Sequence, residues 1–171
     1  MNRSIQIFKT LFLIGSIAFF VSSCKKDKET KDADIVGNWT ISSATVSATI
    51  DGKSLSQYFL DLGTSSTEAD QFAQAFNDAV QQSFTGTVNI KSDHTYTINS
   101  GGSSDGGTWA LNSSGDKLTL DAGTADEATF DILSVDKNSL HIKFSQDQMD
   151  DLNGDGTDET IAVSVDMNLT K

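Results

Sequence analysis

The chain has 171 residues, with 24 Asp and Glu against 12 Lys and Arg, a formal net charge of -12, one cysteine and no proline. That length suits one ordinary domain with its own core. The acid excess argues against nucleic acid and anionic headgroups as partners, and one cysteine excludes an intrachain disulfide framework or a cysteine-rich zinc site.

Residues 1–23 read as a leader rather than as part of the fold. Arg3 and Lys9 form a positive start, and Leu11 to Val21 is an apolar run too short to span a bilayer comfortably. Small residues follow, and Val21-Ser22-Ser23-Cys24 resembles a bacterial lipobox. The resemblance implies that Cys24 is acylated and becomes the mature N-terminus. A triacylated cysteine meets the need for more than one chain in stable anchoring. Without the leader the chain carries 24 acids against 10 lysines over 148 residues, and it has lost Arg3, its only arginine. Arginine is the usual bidentate clamp for phosphate, so its absence weighs against phosphoryl transfer and nucleic-acid binding. Residues 24–34 are polar and of mixed charge, which predicts a flexible tether. The domain is expected over 35–171.

The domain opens with a predicted strand over Trp39–Val46. The stretch Ser47 to Ser66 has no clear pattern, with Asp51-Gly52 as a candidate hairpin turn. Thr67-Glu68-Ala69-Asp70 resembles a capping box, and Phe72, Phe76, Val80 and Phe84 recur every fourth residue. This predicts one amphipathic helix of roughly 17 residues. It either packs on the wall or across one end of the fold, or forms a lid over a cavity.

From residue 85 onward the period is two. Val88 and Ile90, Tyr96 and Ile98, Trp109 and Leu111, Leu118 and Leu120, then Phe130 and Ile132 each share a face. Leu140, Ile142 and Phe144 follow, and the last strand alternates from Ile161 through Leu169. Such alternation puts one face on a core and the other in water. Short connections rich in Gly, Asp, Asn and Ser suit hairpins, and Ser100 to Gly107 reads as one such loop. The expected fold is mainly β, an antiparallel up-and-down β-barrel of about eight strands with one amphipathic helix. A two-sheet sandwich is the alternative.

Gly37-Asn38-Trp39 at the head of the first strand resembles the lipocalins. Thr87 to Ile98, Gly107 to Leu111 and Asp116 to Leu120 follow in order behind a lipobox, and the set resembles the lipocalin-like domains of Bacteroidota lipoproteins. The resemblance implies that Gly37 and Trp39 form the motif closing one barrel end. In lipocalins an arginine from the last strand packs over that tryptophan, and this domain has no arginine. Lys25 follows Cys24 where an aspartate would hold a lipoprotein at the inner membrane, so the expected site is the outer membrane, with the leaflet open.

Asp147 to Glu159 holds six acids and no base. Asp151, Asn153 and Asp155 at positions 1, 3 and 5, Gly156 at 6 and the Thr157 carbonyl at 7 form the first half of an EF-hand-like loop. Position 12 is Ala162, so closure would fall to Asp158 or Glu159. Calcium is the one cofactor these residues suggest, and a solvated hairpin loop is the alternative.

No enzyme is expected. His94 falls in a turn, alternation sends His141 outward, and there is no nucleophile-elbow motif or phosphate loop. Two functions remain. One is a lipid-anchored barrel binding a small apolar ligand, at residues the sequence does not identify. The other is a filled barrel that displays acidic loops to another envelope protein. The expected state is a monomer.

Overall fold

A computed structural model describes Asp32 and residues 34–171. Cys24, the leader and most of the tether lie outside the described residues. The strands are β1 (Gly37–Ile50), β2 (Lys53–Ser54), β3 (Thr87–Ile90), β4 (Thr95–Ser100), β5 (Ser103–Leu111) and β6 (Lys117–Leu120). They continue with β7 (Ala128–Val135), β8 (Ser139–Asp150) and β9 (Glu159–Thr170). Two helices, α1 (Leu55–Asp61) and α2 (Ser66–Ser83), follow β2.

The fold is an antiparallel barrel. β1 and β3 to β9 pair in sequence, and β1 closes the ring on β9 from Thr40↔Thr170 to Ile50↔Ile161. The small β2 is an extra strand on the edge of β1. Period-two alternation sends every second side chain inward. One cross-strand row runs Leu111, Leu118, Phe130, Phe144, Val165 and Val46 around much of the ring. The Phe130 and Phe144 rings lie 5.4 Å apart. Together with Trp39, Ile90, Leu140 and their neighbours they form one contiguous apolar cluster.

Two bulges keep this pattern in phase. Trp39 and Ile41 face inward, and so do Ala44 and Val46, which requires one extra residue between the pairs. The register shift between Ile41 and Ser43 supplies it, and Ser42 Oγ donates to Asn168 O at 2.8 Å. A second shift between Ile132 and Ser134 turns Leu133 out to solvent and Val135 back toward the core.

β8 and β9 pair over their whole length, from Ser139↔Thr170 to Asp150↔Glu159, whereas β3 and β6 have four residues each. β1, β8 and β9 therefore project beyond the other strands at one end, called here the helix end. The opposite end holds Trp39. At the helix end Ile50 joins Leu55 and Tyr58 of α1 in a second cluster, with Ala48, Ile161 and Ala73 against it.

Several expectations change. The Ser47–Ser66 stretch continues β1 to Ile50, turns at Asp51-Gly52, and contains α1. The cap of α2 is Ser65, two residues before the expected Thr67. Its Oγ accepts the Glu68 N–H at 3.4 Å and donates to Glu68 Oε2 at 2.6 Å. The inward side of α2 carries Ala69, Ala73 and Val80, followed by Phe84 at its C-cap, whereas Phe72 is 55% exposed and Phe76 37%. Ser100 to Gly107 is mostly strand, with Gly101-Gly102 alone forming the turn. Asp147 and Asp150 belong to β8 and Glu159 to β9, so the acidic loop itself is residues 151–158.

Candidate functional site

At the Trp39 end, the chain enters through a helical turn in which Val36 N–H donates to Asp32 O at 3.2 Å. Asp32 and Asp34, expected in the tether, belong to this turn. Ile35 is fully buried and accepts the Trp39 Nε1–H at 2.7 Å. Trp39, also fully buried, thus places its indole against the core and satisfies its one polar atom locally. Lys171, one residue past β9, lays its Nζ 4.3 Å from the centroid of the Trp39 ring and donates to Val36 O at 3.0 Å. The cation over Trp39 is thus a lysine, in a domain without arginine. Gly37 makes room for this: a methyl group there would overlap Lys171 Cε. The signal that sequence reading missed is the basic residue directly after the last alternating strand.

Beside this seal lies an open surface hollow of about 370 Å³, lined by Asp32, Val36, Ser92, His94 and Trp109. The His94 ring stacks on Trp109 at 4.7 Å, and Trp109 Nε1 donates to Lys91 O at 2.9 Å. His94 sits in the expected turn. His141 points outward, as alternation requires, and meets Asp166 at 2.7 Å.

At the helix end, the 151–158 loop folds around its own carboxylates. Asp151 Oδ1 accepts the N–H groups of Gly154 (2.7 Å) and Asp155 (3.1 Å), and Oδ2 accepts that of Gly156 (3.0 Å). Asn153 Oδ1 accepts the Asp155 N–H at 2.8 Å. Asp155 Oδ1 accepts the Thr157 N–H at 2.8 Å, which with Asn153 holds the Asp155 carboxyl below its usual range. Gly156 has φ +89, the left-handed backbone that this turn demands.

The two closing candidates separate sharply. Asp158 is exposed, whereas Glu159 is buried at 6% exposure. Glu159 Oε2 accepts the Leu152 N–H at 2.8 Å, and Oε1 accepts Asn153 Nδ2 at 2.5 Å. Tyr58 of α1 forms the inner wall. Burial first, then the Glu159 carboxylate, pushes its phenol up to about 12. Among the described residues no three His, Cys, Asp or Glu side chains converge into a ready metal cage. The loop therefore brings Asp151, Asn153, Asp155 and Glu159 into one hydrogen-bonded unit, and leaves Asp158 outside it.

Charge divides along the barrel axis. Lys91, Lys117, Lys137 and Lys171 sit at the turns of the Trp39 end. Lys53 is the sole lysine of the helix end among the described residues, and it pairs with Asp61 at 2.6 Å. No helix among the described residues is long and apolar enough to cross a membrane. The sequence matches no protein-family model and no curated protein.

Proposed function

We propose that this is a lipid-anchored envelope protein whose barrel is a filled scaffold, held by its N-terminal end and presenting its acidic helix end to another envelope component. The observation that carries the reading is the interior. Buried apolar side chains from strands all around the ring form one contiguous cluster, which supports an eight-stranded barrel filled by its own side chains. The lipobox-like Val21-Ser22-Ser23-Cys24 supports the anchor, and Lys25 after Cys24, in place of a retaining aspartate, supports the outer-membrane location.

Anchoring at Cys24 places the Trp39 end toward the membrane, because the chain enters the barrel there. The helix end is then distal, and its acid excess keeps it off anionic headgroups. A second reading keeps a small apolar ligand, seated in the open hollow against Trp109 and His94. That volume reaches the lower range of ligand pockets, about 300 Å³.

Two measurements test the proposal together. Cys24→Ser should move the protein from the membrane fraction to the soluble one, and retention in the membrane would defeat the anchor. Titration with an apolar environment-sensitive dye should give no saturable one-to-one binding. Stoichiometric binding lost on Trp109→Ala would favour the ligand reading instead.

A further inference from the structure

We propose that the loop after β8 is a calcium site closed by Glu159, not by Asp158, with Tyr58 as its inner wall. The proposal is independent of how the barrel is anchored or what its distal end meets.

Spacing alone offers four oxygen-bearing positions: Asp151, Asn153, Asp155 and the Thr157 carbonyl. A run of acids in a loop is common and by itself indicates nothing. Two features of the fold go further. First, the Tyr58 hydroxyl is sealed from solvent, with Tyr58 only 6% exposed, and has no partner in hydrogen-bonding geometry. From α1, far from the loop in sequence, it comes near enough to Glu159 and Asn153 for both to act on it, but it meets neither in hydrogen-bonding geometry. Buried hydroxyls nearly always find a partner, directly or through water. Calcium commonly retains water among its ligands, and a calcium-bound water on the inner side of the loop would give this hydroxyl its partner.

Second, Glu159 is a carboxylate more than nine-tenths buried. The ion pairs among the described residues join Lys53 to Asp61, Lys117 to Asp131 and His141 to Asp166, and none reaches Glu159. Buried charges are normally paired or bound to a metal. What stands between Glu159 and Asp155 is the Asn153 amide, whose Nδ2 donates to both, at 2.5 and 3.1 Å. A weakly positive amide group thus occupies the place of a cation between two carboxylates. Turning that amide over presents Oδ1 to the same point at the cost of the Asp155 N–H bond that Oδ1 now accepts, which converts the bridge into a ligand. Calcium tolerates such an irregular set of side-chain and carbonyl oxygens, whereas magnesium demands a tighter octahedron.

The experiment uses the full chain purified in detergent and stripped with a chelator. Extracellular calcium modules bind at about 10⁻⁴–10⁻³ M, so the titration runs to about tenfold above that range. The melting temperature should rise by about 3–6 °C with calcium, and magnesium should give little shift. Asp155→Asn, at an exposed position, and Glu159→Gln should each weaken the response at least about tenfold, while Asp158→Asn should leave it unchanged. Terbium should bind in competition with calcium, and Tyr58→Phe should reduce its sensitised emission without removing the calcium shift. No shift with calcium, an equal shift with magnesium, or dependence on Asp158 but not Glu159 would each overturn the proposal. Asp155→Asn keeps the test decisive if Glu159→Gln fails to fold.

Discussion

The two ends of this barrel are built on different principles. The Trp39 end is a tight seal in which Ile35 and Trp39, around the start of β1, interlock with Lys171 just past β9. Its turns are held by carboxylates that cap the backbone. The Thr95 hydroxyl holds Asp93 below the usual carboxylate range, Ser114 and Asn112 do so for Asp116, and the Asn138 N–H does so for Asp136. The helix end has two helices, an eight-residue acidic loop and exposed apolar side chains such as Phe72, Leu62 and Leu152. The difference teaches where the fold is fixed and where it leaves surface exposed. Tight turns with satisfied polar atoms fix the barrel, and the long elements at the other end carry the surface that a partner or an ion would meet.

The largest contrast expected is between two aromatic truncations. Trp39→Ala at the sealed end should cost about 3–5 kcal/mol, and Phe72→Ala at the helix end should stay within about 0.5 kcal/mol. Urea denaturation of both variants measures the gap, and equal losses would erase the proposed distinction. Next in size is the seal itself. Gly37→Ala should displace Lys171 from the Trp39 ring and destabilise by about 1–3 kcal/mol through overpacking. Lys171→Ala should cost about 0.5–2 kcal/mol. In the double variant the penalty of the alanine at 37 should shrink, because the atom it strikes is gone.

A smaller effect lies at high pH. The chain has two tyrosines, one at each cluster. Burial and then Glu159 raise Tyr58 to about 12, and burial and then Asp121 raise Tyr96, whose hydroxyl donates to Asp121 Oδ2 at 2.6 Å. Both folded values lie above the unfolded value of about 10. Their contribution to stability is therefore complete below about pH 10 and is lost as pH rises toward the folded values. Tyrosinate absorbance should appear in one step with unfolding, and an early half-step near pH 10 would show that one phenol is not protected. The smallest effect is at the acid side. Stability from Asp93, Asp116 and Asp136 is present above the usual carboxylate range and should fade as pH falls through their lowered values. Asp136→Asn should flatten that acid limb slightly.

Much of the barrel was legible from period-two alternation alone, because one wet face and one dry face leave that mark on every strand. What the pattern could not show were the bulges at Ser42 and Leu133, since a single inserted residue looks like noise in a strand. α1 escaped notice because Leu55, Tyr58 and Phe59 span two turns, too short for a periodic signal. Phe72 was expected inside because spacing alone gave α2 a wide apolar stripe, while the barrel end covers only the side around Ala69 and Ala73. At the acidic loop the sequence left Asp158 and Glu159 level. Burial separates them, and burial depends on α1 arriving from a hundred residues earlier, which no local pattern contains.

The central claim is a filled, lipid-held scaffold, and native mass spectrometry of the protein purified from its source membranes tests it most directly. The account predicts a mass equal to residues 24–171 plus a diacylglyceryl group on sulfur and one acyl chain on the N-terminus, with no co-purifying small molecule. An unlipidated mass, or a stoichiometric apolar ligand that survives purification, would contradict it.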